Sequence, residues 1–277
     1  MNNILQLKNR SIISISGEDK EVFLQGLITN DINKASKSNA IYSFMLSPQG
    51  RFLYDFFIIL DGERLLLDCD FEKVDEIVKK FSFFKFRSKV EIGKEEGLLV
   101  LTALDKEVFD DQDIVFVDPR DEKMGYRAFV KKTDLHLLQE NKSDEYNLRR
   151  INLKIPDDSD LTVDKSFPLE FGFDDFSAVD YKKGCYVGQE TTARMHYKGT
   201  IRKRIFLVEV DGEKIEKGTA IESGEKKIGL ILSSILHKDK LLALTLIKNL
   251  DNEGKEIKFG ELKTQSNLVI KIIQTNS

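Results

Sequence analysis

SPQGRFLYDFFIILDGERLLLDCDFEKVDEIVKKF, residues 47–81, decides the fold class. Ser47 to Gly50 read as a turn, and residues 52–60 form a run of aromatic and branched side chains with strand character. Asp61 and Gly62 supply a second turn, after which RLLLDC returns as the partner strand of a hairpin. Val74, Ile77, Val78 and Phe81 then recur at i, i+3, i+4 and i+7, the stripe of a helix laid on a sheet. Hairpins and helices mixed without regular alternation indicate an α+β protein rather than a doubly wound parallel sheet.

Towards the N-terminus, the alternation over Ser11 to Ile15 predicts a strand. SGEDKEVFLQGLITNDI (16–32) predicts a short helix capped by Ser16, with Asp19 three positions on. Strands are expected at about 86–92 and 98–103, and a helix over 143–152 that Pro156 stops. From Ile201 the pattern changes to IFLVEV, KIGLILSSIL, LLALTLI and LVIKII separated by turns, the spacing of a small antiparallel β-barrel. We place a boundary near residue 200, giving regions 1–199 and 200–277.

Composition narrows the function classes. With 41% hydrophobic and 32% charged residues the 277-residue chain is folded and well solvated. A net charge of -4 gives no global field for nucleic acid or an anionic membrane, so any polyanion must meet a local patch. The start, MNNILQLKNR, lacks the pattern of a signal peptide, and no apolar run approaches the roughly 20 residues of a membrane span. The expectation is a cytoplasmic protein without membrane partners. In a reducing compartment Cys69 and Cys185 are expected as free thiols, Cys69 in the core at the end of its strand.

The densest unusual segment is YKKGCYVGQETTARMHYKGTIRKR, residues 181–204. It carries seven basic residues (Lys182, Lys183, Arg194, Lys198, Arg202, Lys203, Arg204) against one acid, Glu190, and such a cluster attracts an anion. Cys185 lies between Gly184 and Gly188, which let the backbone bend and a partner approach the sulfur, while nearby ammonium groups favour thiolate. Read from composition alone, a lone cysteine is a small buried hydrophobe and the lysine pair a solvated face. His136, His196 and His237 show no ligand spacing and no CxxC occurs, so the chain does not supply four ligands for zinc or an iron-sulfur cluster. Walker, Rossmann and GxSxG patterns are absent.

KGCYVGQE (183–190), followed by Ala193, Arg194 and Gly199, resembles the signature of the YgfZ-type folate-binding proteins. The likeness extends to SGEDKEVFLQGLITNDI, to PQGRFLYDFFI (48–58), to FPLEFGFDDF (167–176) and to the β-rich tail. Lys183, Gly184, Cys185, Tyr186, Gly188, Gln189 and Glu190 are the signature residues. The resemblance implies the fold of the glycine cleavage T-protein, an aminomethyltransferase. It further implies a folate-binding region over 1–199, a ferredoxin-like part at roughly 48–140 and a terminal barrel.

It also implies a site. Glu170 matches the position whose carboxylate holds the pterin, and a carboxylate can accept the two parallel N–H donors of the pterin edge. Asp55 falls where the T-protein carries a catalytic acid. From the residues alone it is either the inward charge of a site or the solvent face of an edge strand. Asn30 and Asp31 line the same pocket or form a helix-terminating turn. A polyglutamate tail finds partners among Lys182, Arg194 and Arg202 to Arg204, Lys183 is a further cofactor-binding candidate, and Cys185 is the reactive thiol or a shared iron-sulfur ligand.

The function implied is that of an accessory protein. It binds tetrahydrofolate or a derivative such as the 5-formyl form and serves iron-sulfur scaffold or client proteins. Its effect on tRNA modification is indirect, through enzymes such as the tRNA methylthiotransferase. The alternative is a true folate-dependent aminomethyltransferase. A plain RNA-binding module is disfavoured because the basic run lacks a row of stacking aromatics.

Overall fold

The computed structural model describes residues 4–133, 143–199, 201–251 and 253–273; His136 lies outside them. In chain order the elements are β1 (Leu5–Gln6), β2 (Arg10–Ser16), α1 (Lys20–Gln25), β3 (Ile41–Leu46), β4 (Phe52–Asp61), β5 (Arg64–Asp70), α2 (Val74–Lys85), β6 (Glu91–Lys94), β7 (Leu98–Ala103), β8 (Ile114–Val117) and β9 (Tyr126–Lys131). There follow α3 (Ser143–Asn152), α4 (Gln189–Lys198), β10 (Lys203–Val210), β11 (Ala220–Ser223), β12 (Lys226–His237), β13 (Lys240–Lys248), β14 (Leu262–Thr264) and β15 (Val269–Ile272). The chain forms two compact units that interleave in sequence. The first comprises Met1–Ser143, Val163–Lys165 and Asp174–Thr191; the second comprises Asp144–Thr162, Ser166–Phe173 and Thr192–Ser277.

The first unit holds a five-stranded sheet, order β3-β4-β5-β2-β6, and a four-stranded sheet, order β1-β7-β9-β8. The hairpin read from residues 52–70 is present, with Asp61 opposite Arg64 beside the turn. The apolar stripe of α2 does what its spacing demands. Val74, Ile77 and Phe81 are buried in one core with Ile13, Ile15, Phe56, Ile58, Leu65 and Leu67 of the five-stranded sheet. Phe81 meets Phe23 of α1 edge-on at 5.9 Å and Phe56 at 5.7 Å. Burying each such side chain contributes about 1.5–3 kcal/mol.

Two local readings are corrected. Ser16 does not cap a helix: it ends β2, paired with Glu91, and α1 begins at Lys20 with Asp19 at its N-cap position. The Asp19 carboxylate instead accepts the Lys89 N–H at 2.7 Å. The strand expected over 86–92 begins only at Glu91, because residues 85–88 form a turn, with Ser88 N–H donating to the Lys85 carbonyl.

A chain of buried charges runs through the first unit. Arg10 of β2 pairs with Asp55 of β4 and Asp68 of β5, Arg127 of β9 pairs with Asp68 and Asp118, and Arg120 closes on Asp118. The Arg127 guanidinium lies 3.6 Å from the Phe57 ring centroid. Three guanidiniums and three carboxylates in an apolar interior are tolerable only because each is paired and hydrogen-bonded.

In the second unit, β10 pairs with both β13 and β15, closing the strands β10-β13-β12-β11-β14-β15 into a barrel around Val208, Val210, Ile221, Ile231, Ala243 and Ile247. Arg150 of α3 donates to Asp160 at 3.0 Å, and the same carboxylate oxygen accepts from Ser233 of β12 at 3.2 Å. No helix among the described residues is long and apolar enough to cross a membrane.

Candidate functional site

The turn that carries Cys185 is fastened on both sides. Lys183, only 8% exposed, directs its ammonium inward, where the three N–H bonds meet the carbonyls of Gln25 (2.8 Å), Ile28 (2.7 Å) and Asn30 (2.8 Å). Gln25 ends α1, where helix geometry leaves carbonyls without partners, and Ile28 and Asn30 lie in the loop after it. Tyr186 is buried, and the Lys183 Nζ lies 5.1 Å from its ring centroid. Between these anchors Gly184 and Cys185 are exposed. The sequence K-G-C-Y thus presents a thiol to solvent from a turn whose neighbours are fixed in the core.

Further bonds lace this segment to the same loop. Thr29 donates to the Ala178 carbonyl at 2.6 Å, Asp180 N–H to Thr29, and Val187 N–H to Gly26. Asp180 accepts from the backbone N–H groups of Lys182 and Lys183 and pairs with Lys34 at 2.8 Å. Burial pushes the Lys183 ammonium down to about 8, opposed by the negative charges of Asp31 and Asp180.

Gly188 has φ +85°, and a Cβ there would lie 2.7 Å from the Ser47 carbonyl oxygen and 3.1 Å from the Gly50 Cα. The signature glycine is therefore set by the close approach of the SPQG turn. Gly184 is different, since a Cβ there would meet nothing within 4 Å.

Several expected site residues prove to be structural. Lys183 is not available to a folate tail, because all three of its donors are taken. Asp55 is neither on an edge strand nor facing solvent: β4 is interior to its sheet, and the buried carboxylate accepts from Arg10 (2.9 and 3.2 Å) and from Tyr42 (3.1 Å). That leaves it poorly placed to serve as a catalytic acid. Asn30 donates to the Tyr42 and Ser177 carbonyls and accepts from Asp31 N–H. Asp31 accepts from Asn33 N–H at the start of the short 3-10 turn Ile32–Lys34 and from the Gln25 side-chain amide at 2.9 Å, so it opens a turn rather than terminating a helix.

Glu170 lies in the 3-10 turn Pro168–Phe171 of the second unit, half-buried and paired with Lys203 at 3.0 Å. Arg204 donates to the Leu169 carbonyl at 3.4 Å beside it. Arg194 and Arg202 are exposed. The seven-residue basic cluster is divided: Lys182 and Lys183 fall in the first unit, and Arg194, Lys198 and Arg202 to Arg204 in the second. Gln189 and Glu190 open α4. Among the described residues no group of three His, Cys, Asp or Glu is arranged to hold a metal ion.

The crystal structure of glycine cleavage system aminomethyltransferase T from Bartonella henselae matches 99% of this chain and 85% of its own, with a TM-score of 0.78 at 11% identity. The chain has the aminomethyltransferase fold. In sequence it is similar to the mitochondrial iron-sulfur cluster assembly factor IBA57 homolog of Dictyostelium discoideum, 32% identical over 79% of this chain and 65% of that protein. The IBA57 factor of Mus musculus is 31% identical over 75% of this chain and 66% of its own length. The chain thus spans just under two thirds of the length of these curated relatives. No family model matches it.

The comparison also corrects the expected cytoplasmic placement. The relatives from Dictyostelium discoideum, Mus musculus and Homo sapiens are all named mitochondrial. The cytoplasmic expectation rested on a missing export pattern, which bears on secretion and not on organelle import.

Proposed function

We propose that the chain is an accessory factor in iron-sulfur cluster assembly or repair, acting through the Cys185 thiol, and that it binds a reduced folate. The observation that carries this reading is an exposed thiol held between two buried anchors, in a chain whose relatives are named iron-sulfur cluster assembly factors. One thiolate is not a cluster site, so the remaining ligands come from a scaffold or client protein. tRNA modification is affected only through iron-sulfur enzymes such as a tRNA methylthiotransferase. The test is Cys185→Ser in cells lacking the chain. Activity of a [4Fe–4S] enzyme falls while the purified variant keeps its circular dichroism and melting temperature; wild-type support by that variant overturns the role.

The aminomethyltransferase fold and Glu170 support the folate half of the reading. A reduced folate supplies a pterin edge with paired N–H donors and, when substituted, a one-carbon unit. The Glu170 carboxylate, on the 3-10 turn Pro168–Phe171 with Lys203 beside it, has the acceptor chemistry that the paired donors of a pterin edge require. Arg194, Arg202 and Arg204 are the candidates for a polyglutamate tail. Titration with 5-formyltetrahydrofolate shows binding by wild type and a loss of about tenfold or more in Glu170→Gln. Failure of wild type to bind any folate leaves a purely protein-directed role. The shared fold also favours a second reading, a folate-dependent aminomethyltransferase, which requires release of ammonia from an aminomethylated lipoyl carrier in the presence of tetrahydrofolate.

A further inference from the structure

KKFSFFKFRSK, residues 79–89, ends α2 and turns the chain toward β6. The Ser88 N–H donates to the Lys85 carbonyl at 2.8 Å, which closes a four-residue turn. Phe86, its second residue, has φ 42° and ψ -107°. That is the geometry of a type II′ turn, whose second position belongs to glycine because a Cβ is strained there. The phenyl ring gains nothing from the fold in exchange, since Phe86 is 82% exposed. Phe83, one turn back on α2, is 72% exposed and its ring centroid lies 6.2 Å from that of Phe86. Two N–H···O contacts between Asp19 and Lys89 tie α1 to the same turn, and Val22 of α1 is 79% exposed. A strained backbone that lifts an aromatic ring into water is unfavourable twice over, and such features persist where something outside the fold uses them.

The surrounding charge selects the occupant. Five basic residues stand between positions 79 and 89, with no acid among them. Lys80 lies over the Tyr54 ring and Lys89 pairs with Glu18. Lys79, Lys85 and Arg87 have no carboxylate partner among the described residues. Three available cations fall short of the roughly four to eight that mark an anionic-lipid site, and of the roughly six to ten phosphate contacts of a nucleic-acid binder. Exposed aromatic rings beside an arginine are instead the composition of a protein–protein hot spot.

We propose that Phe83 and Phe86, flanked by Lys79, Lys85 and Arg87, form the docking surface for a partner protein of the iron-sulfur assembly system. That partner presents an apolar pocket rimmed by carboxylates. The inference rests on the assembly role proposed above and adds to it where the partner binds and what chemistry it must carry.

The test compares four variants of the chain in cells lacking it, with the activity of a [4Fe–4S] enzyme as readout and melting of each purified protein as control. Phe83→Ser combined with Phe86→Gly melts no lower than wild type, because glycine relieves the turn, yet supports the enzyme about tenfold less well or worse. Lys85→Glu combined with Arg87→Glu gives a loss of the same order. Phe86→Gly alone serves if the double variant fails to fold, and it too loses support. Cys185→Ser is the reference. If it fails while the phenylalanine variants match wild type, the docking surface is wrong and the assembly role stands; if it matches wild type, the assembly role itself falls. Co-sedimentation of wild type with phosphatidylserine-rich vesicles, abolished by the phenylalanine substitutions, would identify a membrane as the occupant and overturn the proposal.

Discussion

A Cβ on Gly188 would stand 2.7 Å from the carbonyl oxygen of Ser47. The two turns approach so closely that the backbone of one leaves no space for a side chain on the other, and φ at Gly188 lies in the left-handed region as well. Gly188→Ala is therefore expected to lose about 2 kcal/mol or more in urea denaturation. Gly184→Ala, four residues earlier in the same loop but facing open space, stays within about 0.5 kcal/mol of wild type. Equal effects at both positions would refute the packing argument.

Lys183→Met removes three hydrogen bonds from an ammonium and leaves three carbonyls to find other donors. The expected cost is about 3 kcal/mol. Amide exchange at Val187, which donates to Gly26, should quicken with it. Lys183→Arg does not restore the fold, because a planar fork cannot place three donors on three converging carbonyls. Full stability in either variant would show that the clasp is incidental.

Asp118 gives a pH signature. Burial pushes its carboxyl up, but Arg120 and then Arg127 outweigh that and hold it at about 2, below the ordinary 3.8. A carboxylate with a depressed pKa in the folded state stabilises fully above the unfolded value. That stability is lost as pH falls from about 4 through about 2, a contribution of about 2 kcal/mol. The stability gap between wild type and Asp118→Asn should narrow by that amount over this range; a constant gap would contradict the network.

The two thiols should separate cleanly by reactivity. Cys185 is exposed and Cys69 sealed in the core, where burial pushes its thiol well above the ordinary value. Thiol counting with a chromogenic disulfide finds one fast-reacting sulfur in the native protein and the second only in denaturant. Cys185→Ser abolishes the fast phase, and a fast phase that survives in that variant would reverse the assignment.

The architecture was legible wherever periodicity was strong. The hairpin over 52–70, the α2 stripe and the terminal barrel all follow from spacing, because one-sided burial imposes a period on the sequence. Ser16 misled because a cap is recognised from its neighbours, and here the chain first turns at Gly17, leaving the N-cap position to Asp19. The site was harder for a definite reason. Lys183 and Asp55 look like ligand-binding charges in the sequence, but whether a charge meets a ligand or a distant part of its own chain is decided by contacts far apart in sequence. Asp55 is met by Arg10, 45 positions away. The only local clues were isolated charges inside apolar strands, such as Asp68 in LLLDC and Arg127 in YRAFV, which mark a buried ion network as readily as a catalytic group.

The clasp between Lys183 and Gln25 spans 158 positions. At translation speeds of roughly 5–20 residues per second, the carbonyls at the end of α1 wait on the order of ten seconds or more on the ribosome before their ammonium is even synthesised. Until then water must solvate them, and the Cys185 sulfur, two residues further on, has not yet been made. The turn that presents Cys185 is therefore fastened only once about two thirds of the chain has been made.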